Sequence, residues 1–182
     1  MTENSIAIDK CIYESLKQEN QQLKDKLQLS EQLFQLAIDN IPHSVFWKDR
    51  NSVYLGCNRN FTQDAGVDEP KNIIGKNDYD LPWTKEETEW FRECDKRVMD
   101  NDVPEVNIIE TQVQADGNLF WLDTNKIPLH DNKGNVVGIL GTYENITERK
   151  QVEENLKKLN ETLEARVERR TVQLRETETR LS

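Results

Sequence analysis

From Tyr13 the chain repeats every seven residues through Asn20, Leu27, Phe34 and Ile41. Leu16, Leu23, Ser30 and Ala37 follow three residues behind. That spacing is the a/d seam of a coiled coil. Asn20 at an a position favours a two-stranded, parallel pairing in fixed register, at some cost in stability. A second stripe near the end runs through Val152, Leu156, Leu159, Leu163, Val167, Leu174 and Leu181. Leu156 to Leu163 keeps the seven-residue step, whereas Leu156 to Val167 is an eleven-residue step, which amounts to a stutter that locally unwinds a left-handed supercoil. Arg170 and Thr177 then stand where apolar residues would continue the seam. Asn145 followed by Glu148 predicts a reciprocal cap at the start of this helix.

Between the two helical patterns the beat changes. Ser44–Lys48 and Ser52–Cys57 are β-branched and aromatic runs, and Asp49-Arg50-Asn51 between them predicts a tight hairpin. Short helical pieces are expected over Asn60–Ala65, stopping at Gly66, and from Pro70 to Gly75. Thr84-Lys85-Glu86-Glu87 is a capping box opening a longer helix, with Phe91, Cys94 and Val98 on one face. Val106–Gln114, Leu119–Leu129 and Val136–Tyr143 read as three further strands, joined by turns at Asp116-Gly117-Asn118 and Asp131–Asn135. Two strands, short helices and three strands predict an α+β domain built on an antiparallel sheet. The boundaries expected are 1–33 for an N-terminal coiled-coil helix, 34–147 for the central domain and 148–182 for a C-terminal coiled-coil helix.

Charge follows the same division, with net −3 over residues 1–40, −9 over 41–148 and +2 over 149–182. The acidic middle predicts no binding to nucleic acid or to an anionic membrane. In the last segment Arg166, Arg169, Arg170 and Arg175 alternate with Glu164, Glu168 and Glu176, the pattern of a salt-bridged helix surface. No apolar run approaches the roughly 18 residues of a membrane span, and the start lacks the form of a secretion signal, so a cytoplasmic location is expected. Cys11, Cys57 and Cys94 are odd in number and widely spaced, which predicts reduced, mostly buried thiols and no metal site.

The element order, together with IPHSVFWKDRN, NRNF, IIGKNDYDLPW, the ending DGNLFWLDTNKIPLHDNKGNVVGILGTYENITERK and the leucine helix after it, resembles a PAS domain. It is similar in particular to PAS input domains of bacterial, cyanobacterial-type sensor histidine kinases. The resemblance covers residues 34–150. It implies a five-stranded antiparallel sheet in the order 2-1-5-4-3 with helices on one face, a pocket between them, and a regulatory role. YENIT resembles the family's Asp-Ile-Thr junction, which makes Asn145, Ile146 and Thr147 the expected route of signal transmission. Asn145 stands where the family has aspartate, so the capping role carries over and the charge does not.

Catalysis is not expected. Neither His43 nor His130 lies in a phosphoacceptor helix, there is no Gly-rich nucleotide loop, and the spacing of Cys57, His130 and Asp123 supports no hydrolytic trio. The resemblance also disfavours two cofactors. Gly75–Trp83 has no cysteine for a flavin adduct, and the long helix Thr84–Asn101 has no histidine for haem. His130 is expected in a solvated turn. The cofactor is therefore left unknown. Candidate pocket residues are Phe46, Tyr54, Phe61, Ile74, Tyr79, Phe91, Cys94, Ile127 and Ile139, with Asn58 and Asn125 as amides able to orient a small ligand. The dimer seam is assigned to Leu16, Asn20, Leu23 and Leu27, and to Leu156, Leu159, Leu163, Val167 and Leu174. Together these predict a sensory input module, a parallel homodimer, which passes a small-ligand, redox or partner signal to an effector such as a histidine kinase outside the chain. The competing expectation is a ligand-free dimerisation adaptor.

Overall fold

The computed structural model describes the backbone of residues 3–181 and the side-chain surroundings of residue 10 and residues 12–176. Cys11, Thr177 and Leu181 lie outside those described side chains. Helix α1 (Glu3–Asp39) leads into β1 (Ser44–Asp49), β2 (Tyr54–Cys57) and α2 (Arg59–Ala65). Two 3₁₀ turns, Pro70–Ile73 and Asp78–Asp80, precede α3 (Lys85–Asn101). Then β3 (Glu105–Val113), β4 (Leu119–His130), β5 (Val136–Asn145) and α4 (Thr147–Leu181) complete the chain. The five strands form one antiparallel sheet in the order β2-β1-β5-β4-β3, as the resemblance implied.

Local chemistry explains most boundaries. The Thr84–Glu87 capping box forms, with Glu87 Oε2 accepting from the Thr84 amide at 2.8 Å and Thr84 Oγ1 accepting from the Glu87 amide at 3.2 Å. Glu87 Oε1 also accepts from the Val113 amide, so the cap fastens α3 to β3. Strand β2 starts two residues later than its apolar run suggested. Asp49 Oδ1 accepts from the amides of Asn51 and Val53, which curls the chain through a left-handed Ser52 (φ 59°) before pairing resumes. Helix α4 likewise starts at Thr147, because β5 pairing continues through Asn145.

The core lies between the sheet and α2, α3 and the 3₁₀ turns. Phe46, Tyr54, Phe61, Trp83, Phe91, Leu122 and Tyr143 belong to it, and the Phe46 and Phe61 ring centroids are 5.0 Å apart. Gly141 faces Phe46 across the β1–β5 ladder, and a Cβ at that position would come within 2.1 Å of the Phe46 ring. A second small cluster joins Val98 and Met99 of α3 to Ile139 of β5. The buried face expected on α3 is present, with Phe91, Cys94 and Val98 all buried. On α1, Phe34 meets the edge of Trp47 and Ile38 is buried, so the end of this helix packs on the domain. The seam residues Leu16, Leu23, Leu27, Leu156, Leu159, Leu163, Val167 and Leu174 are exposed within a single chain, as is Asn20.

Candidate functional site

Strand alternation places Phe46 and Lys48 of β1, and Leu122, Thr124 and Lys126 of β4, on the helix-facing side of the sheet. Two lysines are thereby driven into the core. Lys48, Asp78, Asp95 and Lys126 are each no more than 2% exposed. Lys48 Nζ donates to Asp78 Oδ1 and Oδ2 at 2.7 and 2.8 Å and to Asp95 Oδ2 at 2.8 Å. Lys126 Nζ donates to Asp95 Oδ1 and to the Phe91 carbonyl. Tyr54 adds its hydroxyl to Asp78 Oδ1 at 2.8 Å, and the Lys48 ammonium sits 4.6 Å from the Tyr54 ring centroid. Asp95, from the buried face of α3, is the bridge between β1 and β4.

Isolated charges would not survive such burial, since desolvation of each ion costs several kcal/mol unless partners and hydrogen bonds offset it. Here two cations meet two carboxylates, with each carboxylate oxygen bonded. Burial acts to raise the Asp95 carboxyl's pKa, but Lys126 and Lys48 beside it win and hold it below the usual carboxylate value. Burial acts to lower the Lys126 ammonium's pKa, but Asp95, with Glu110 behind it, leaves it raised. The Tyr54 hydroxyl is pushed up by burial and by Asp78. Burial and Asp64 do the same to Tyr143, which donates to Asp64 at 2.7 Å. Burial pushes the Cys57 thiol up to about 12, so it is an inert thiol.

Beside this network lies a cavity bounded by Phe46, Trp83, Phe91, Gln112, Thr124 and Tyr143, among others. A water molecule's centre can reach about 20 Å³ of it, room for one or two waters. Gln112 is 4% exposed, and its Oε1 has no hydrogen-bond partner. Neighbouring Glu110 is occupied, accepting from the Thr124 hydroxyl at 2.7 Å and from Trp90 Nε1 at 2.8 Å.

Of the expected pocket residues, Phe46, Tyr54 and Phe91 border this cavity. Phe61, Cys94 and Ile139 are buried behind it as packing. Three assignments need correction, since Ile74, Tyr79 and Ile127 are 59%, 55% and 41% exposed. Ile127 lies between Lys126 and Pro128 on β4, so alternation turns it to the outer face. Tyr79 reaches outward to Glu89 from its 3₁₀ turn, and Ile74 follows the end of the other. Asn125 also points away from the pocket. Its Oδ1 accepts from the Asn107 amide and braces an irregularity in β3 where Asn107 has φ 57°.

Asn58 is buried and fully used. Its Oδ1 accepts from the amides of Val45 and Phe61, and its Nδ2 donates to the carbonyls of Ile38 and His43. It therefore ties α1, β1 and α2 together and has nothing left for a ligand. Asn58→Ala is expected to lower the unfolding free energy by about 2–3 kcal/mol, because several buried backbone groups lose their partner. Urea denaturation measures this, and a change below about 1 kcal/mol would show that these bonds are replaceable.

The sequence pattern does not mark the four buried charges directly. For three of them the signal is positional: Lys48 and Lys126 extend the inward registers of Phe46 and Leu122, and Asp95 sits between Phe91 and Val98 on the apolar face of α3. His130 ends β4 and pairs with Asp102 at 2.7 Å, partly in solvent. Among the described residues no cluster of His, Cys, Asp and Glu forms a metal site, and no helix is long and apolar enough to cross a membrane.

At the junction Asn145 Oδ1 accepts from the Thr147 amide, while the Ile146 carbonyl accepts the first helical bond from Lys150. Ile146, buried, is thus the N-cap, and the reciprocal Asn145–Glu148 box is not formed. The helix root is instead held by β4. The Ile146 amide donates to the Trp121 carbonyl at 2.8 Å, and the Trp121 amide donates to Thr147 Oγ1 at 2.9 Å.

Residues 38–151 match the model of a family described as the PAS fold. Over 140 residues the chain is 29% identical to the methanogenesis regulatory histidine kinase FilI of Methanothrix harundinacea, covering 77% of this chain and 15% of that protein. Among solved structures, VqmA bound to DPO superposes with a TM-score of 0.57 at 23% identity, over 62% of this chain and 57% of that one. The Vibrio cholerae VqmA dimer without its target DNA gives 0.59, also at 23% identity, over 64% and 52%. A PAS domain from Colwellia psychrerythraea gives 0.53 at 18% identity, over 69% of this chain and 98% of that one. At these identities the structural likeness speaks for the fold alone.

Proposed function

The chain belongs to the PAS-fold family, and we propose that it serves there as a non-catalytic sensory input module, with α4 as its output. In this reading the central domain registers a stimulus, and α4 pairs with its copy in a parallel dimer and passes the change to an effector such as a histidine kinase. The observation that carries the reading is that β4 belongs to both ends of the route. Its inward residues Leu122, Thr124 and Lys126 line the cavity, and Trp121 on the same strand holds the root of α4. A change in the cavity that moves β4 then moves the helix root. The likeness to a regulatory histidine kinase supports the choice of effector.

The charges also narrow the stimulus. Each buried cation is already matched by a buried carboxylate, so an anionic ligand would enter without a counter-charge. An uncharged molecule donating a hydrogen bond to Gln112 Oε1 fits better. The net charge of −9 across the central domain argues against its holding nucleic acid, and the module would act in the cytoplasm. The small cavity favours one second reading, a ligand-free adaptor that only aligns neighbours.

Native mass spectrometry of the purified chain separates the two readings, because a bound small molecule favours sensing and a bare dimer favours the adaptor. The output claim is tested by joining α4 to a histidine-kinase core. Thr147→Val removes the acceptor for the Trp121 amide, worth about 1 kcal/mol, and should change autophosphorylation about fivefold while the dimer persists. An unchanged rate would refute α4 as the output.

A further inference from the structure

Next to the helix root, on the outer face of β4, the Asp123 carboxylate is only partly satisfied. Its Oδ1 is buried and has no hydrogen-bond partner. Its Oδ2 lies 3.7 Å from Arg149 Nη2, beyond a hydrogen bond. Directly across the β4–β5 ladder stands Glu144, a like charge that repels it. Arg149 also has Glu153 nearby, whose Oε1 is 4.0 Å from Nε, and Lys150 lies 3.7 Å from the same Glu153.

A buried carboxylate oxygen with no donor is costly, and burial keeps an outside cation from reaching it. The group placed to reach it is Arg149, whose planar fork can give two parallel bonds at about 2.8 Å once the helix root moves by about 1 Å. We infer that Asp123 and Arg149 form a two-setting latch on α4. In the open setting, the one described here, Arg149 lies between Asp123 and Glu153 within hydrogen-bond distance of neither. In the closed setting it binds both oxygens of Asp123 and α4 is drawn onto β4. Ile146 and Thr147, fixed to Trp121, are the pivot two residues before it. Asp123 and Arg149 are positioning residues, acting on output through α4. That last step rests on α4 being the output, but the latch itself is a docking equilibrium and can be measured alone.

The test is amide hydrogen exchange over residues 150–154 in the whole chain, with the β4 and β5 amides reporting on the fold. Asp123→Asn and Arg149→Gln should each lower protection of that turn about twofold, as expected for two settings of similar energy, and the double variant should lose no more than either single one, because the two act as a pair. Glu153→Gln should have the opposite effect and raise protection, since it releases Arg149 to Asp123. Should Asp123→Asn also loosen the β4 and β5 amides, Arg149→Gln, on an exposed stretch of helix, decides the matter. Unchanged protection in Arg149→Gln, additive losses in the double variant, or lowered protection in Glu153→Gln would each overturn the latch. A kinase chimaera indifferent to Thr147→Val, with these exchange results intact, would overturn only the output assignment.

Discussion

Asp95→Ala is expected to lower the unfolding free energy by about 3–5 kcal/mol, the range for breaking a buried ion-paired network by removing one member. Its two oxygens serve different lysines, so the loss falls on both strands. Lys48 would keep Asp78, whereas Lys126 would keep only the Phe91 carbonyl. Replacing the Asp95–Lys126 pair together, as Asp95→Leu with Lys126→Met, removes the stranded charge as well as its partner. That double variant should cost less than about 2 kcal/mol. Urea denaturation at neutral pH compares the two. Equal losses would mean that the packing of α3, rather than charge, sets the stability.

The same network predicts how stability varies with pH. Asp95 has a folded pKa below the unfolded carboxylate value of about 3.9, so its contribution is complete above that value and is lost as acid protonates the folded form. Lys126 has a folded pKa above about 10.4, so its contribution is complete below that value and is lost as the pH rises through the folded pKa. Tyr54 and Tyr143 act in the same alkaline direction, because unfolded tyrosines ionise from about pH 10 while the buried ones keep their protons. A plateau from about pH 5 to pH 9, falling on both sides, is the expected profile. In Asp95→Leu with Lys126→Met the acid limb should shrink.

The strands and the long central helix were legible because each carries a clean local signal. The Thr84–Glu87 box needs only four consecutive residues, and the three late strands are set apart by turn residues that form tight turns by themselves. The pocket was less legible because lining it depends on which way alternation points, and a one-residue offset reverses the face. Ile127 looked like a pocket residue by type, yet it is the outward neighbour of Lys126, the residue that does face inward. Lys48 and Lys126 are hard to read from the sequence for the complementary reason. Charged side chains are expected in solvent, and what makes these tolerable is an aspartate 47 residues away from one and 31 from the other. Such long-range compensation leaves no local trace. Asn58 shows a third limit, since its type allowed a ligand contact and only the positions of Ile38, His43, Val45 and Phe61 reveal that its amide is already spent.

Leu159→Asp combined with Leu163→Asp is expected to weaken self-association at least a thousandfold, about 4 kcal/mol, and to leave the central domain folded. Both leucines stand exposed on α4 away from the sheet, so within one chain they bury nothing that folding needs. If they are d and a positions of a parallel dimer, each substitution places a carboxylate in the seam against its own copy, losing apolar burial and adding repulsion in both chains. Sedimentation equilibrium over a range of concentrations reads the dissociation constant, and hydrogen exchange in β4 and β5 confirms the fold. The corresponding change in α1, Leu23→Asp with Leu27→Asp, separates the contributions of the two helices. Dimerisation lost only on the α1 change would place the stem there and leave α4 free to rotate, as its stutter between Leu156 and Val167 allows. Dimers that withstand both pairs of substitutions would move the interface to the outer face of the sheet, where Trp121 and Ile127 are exposed.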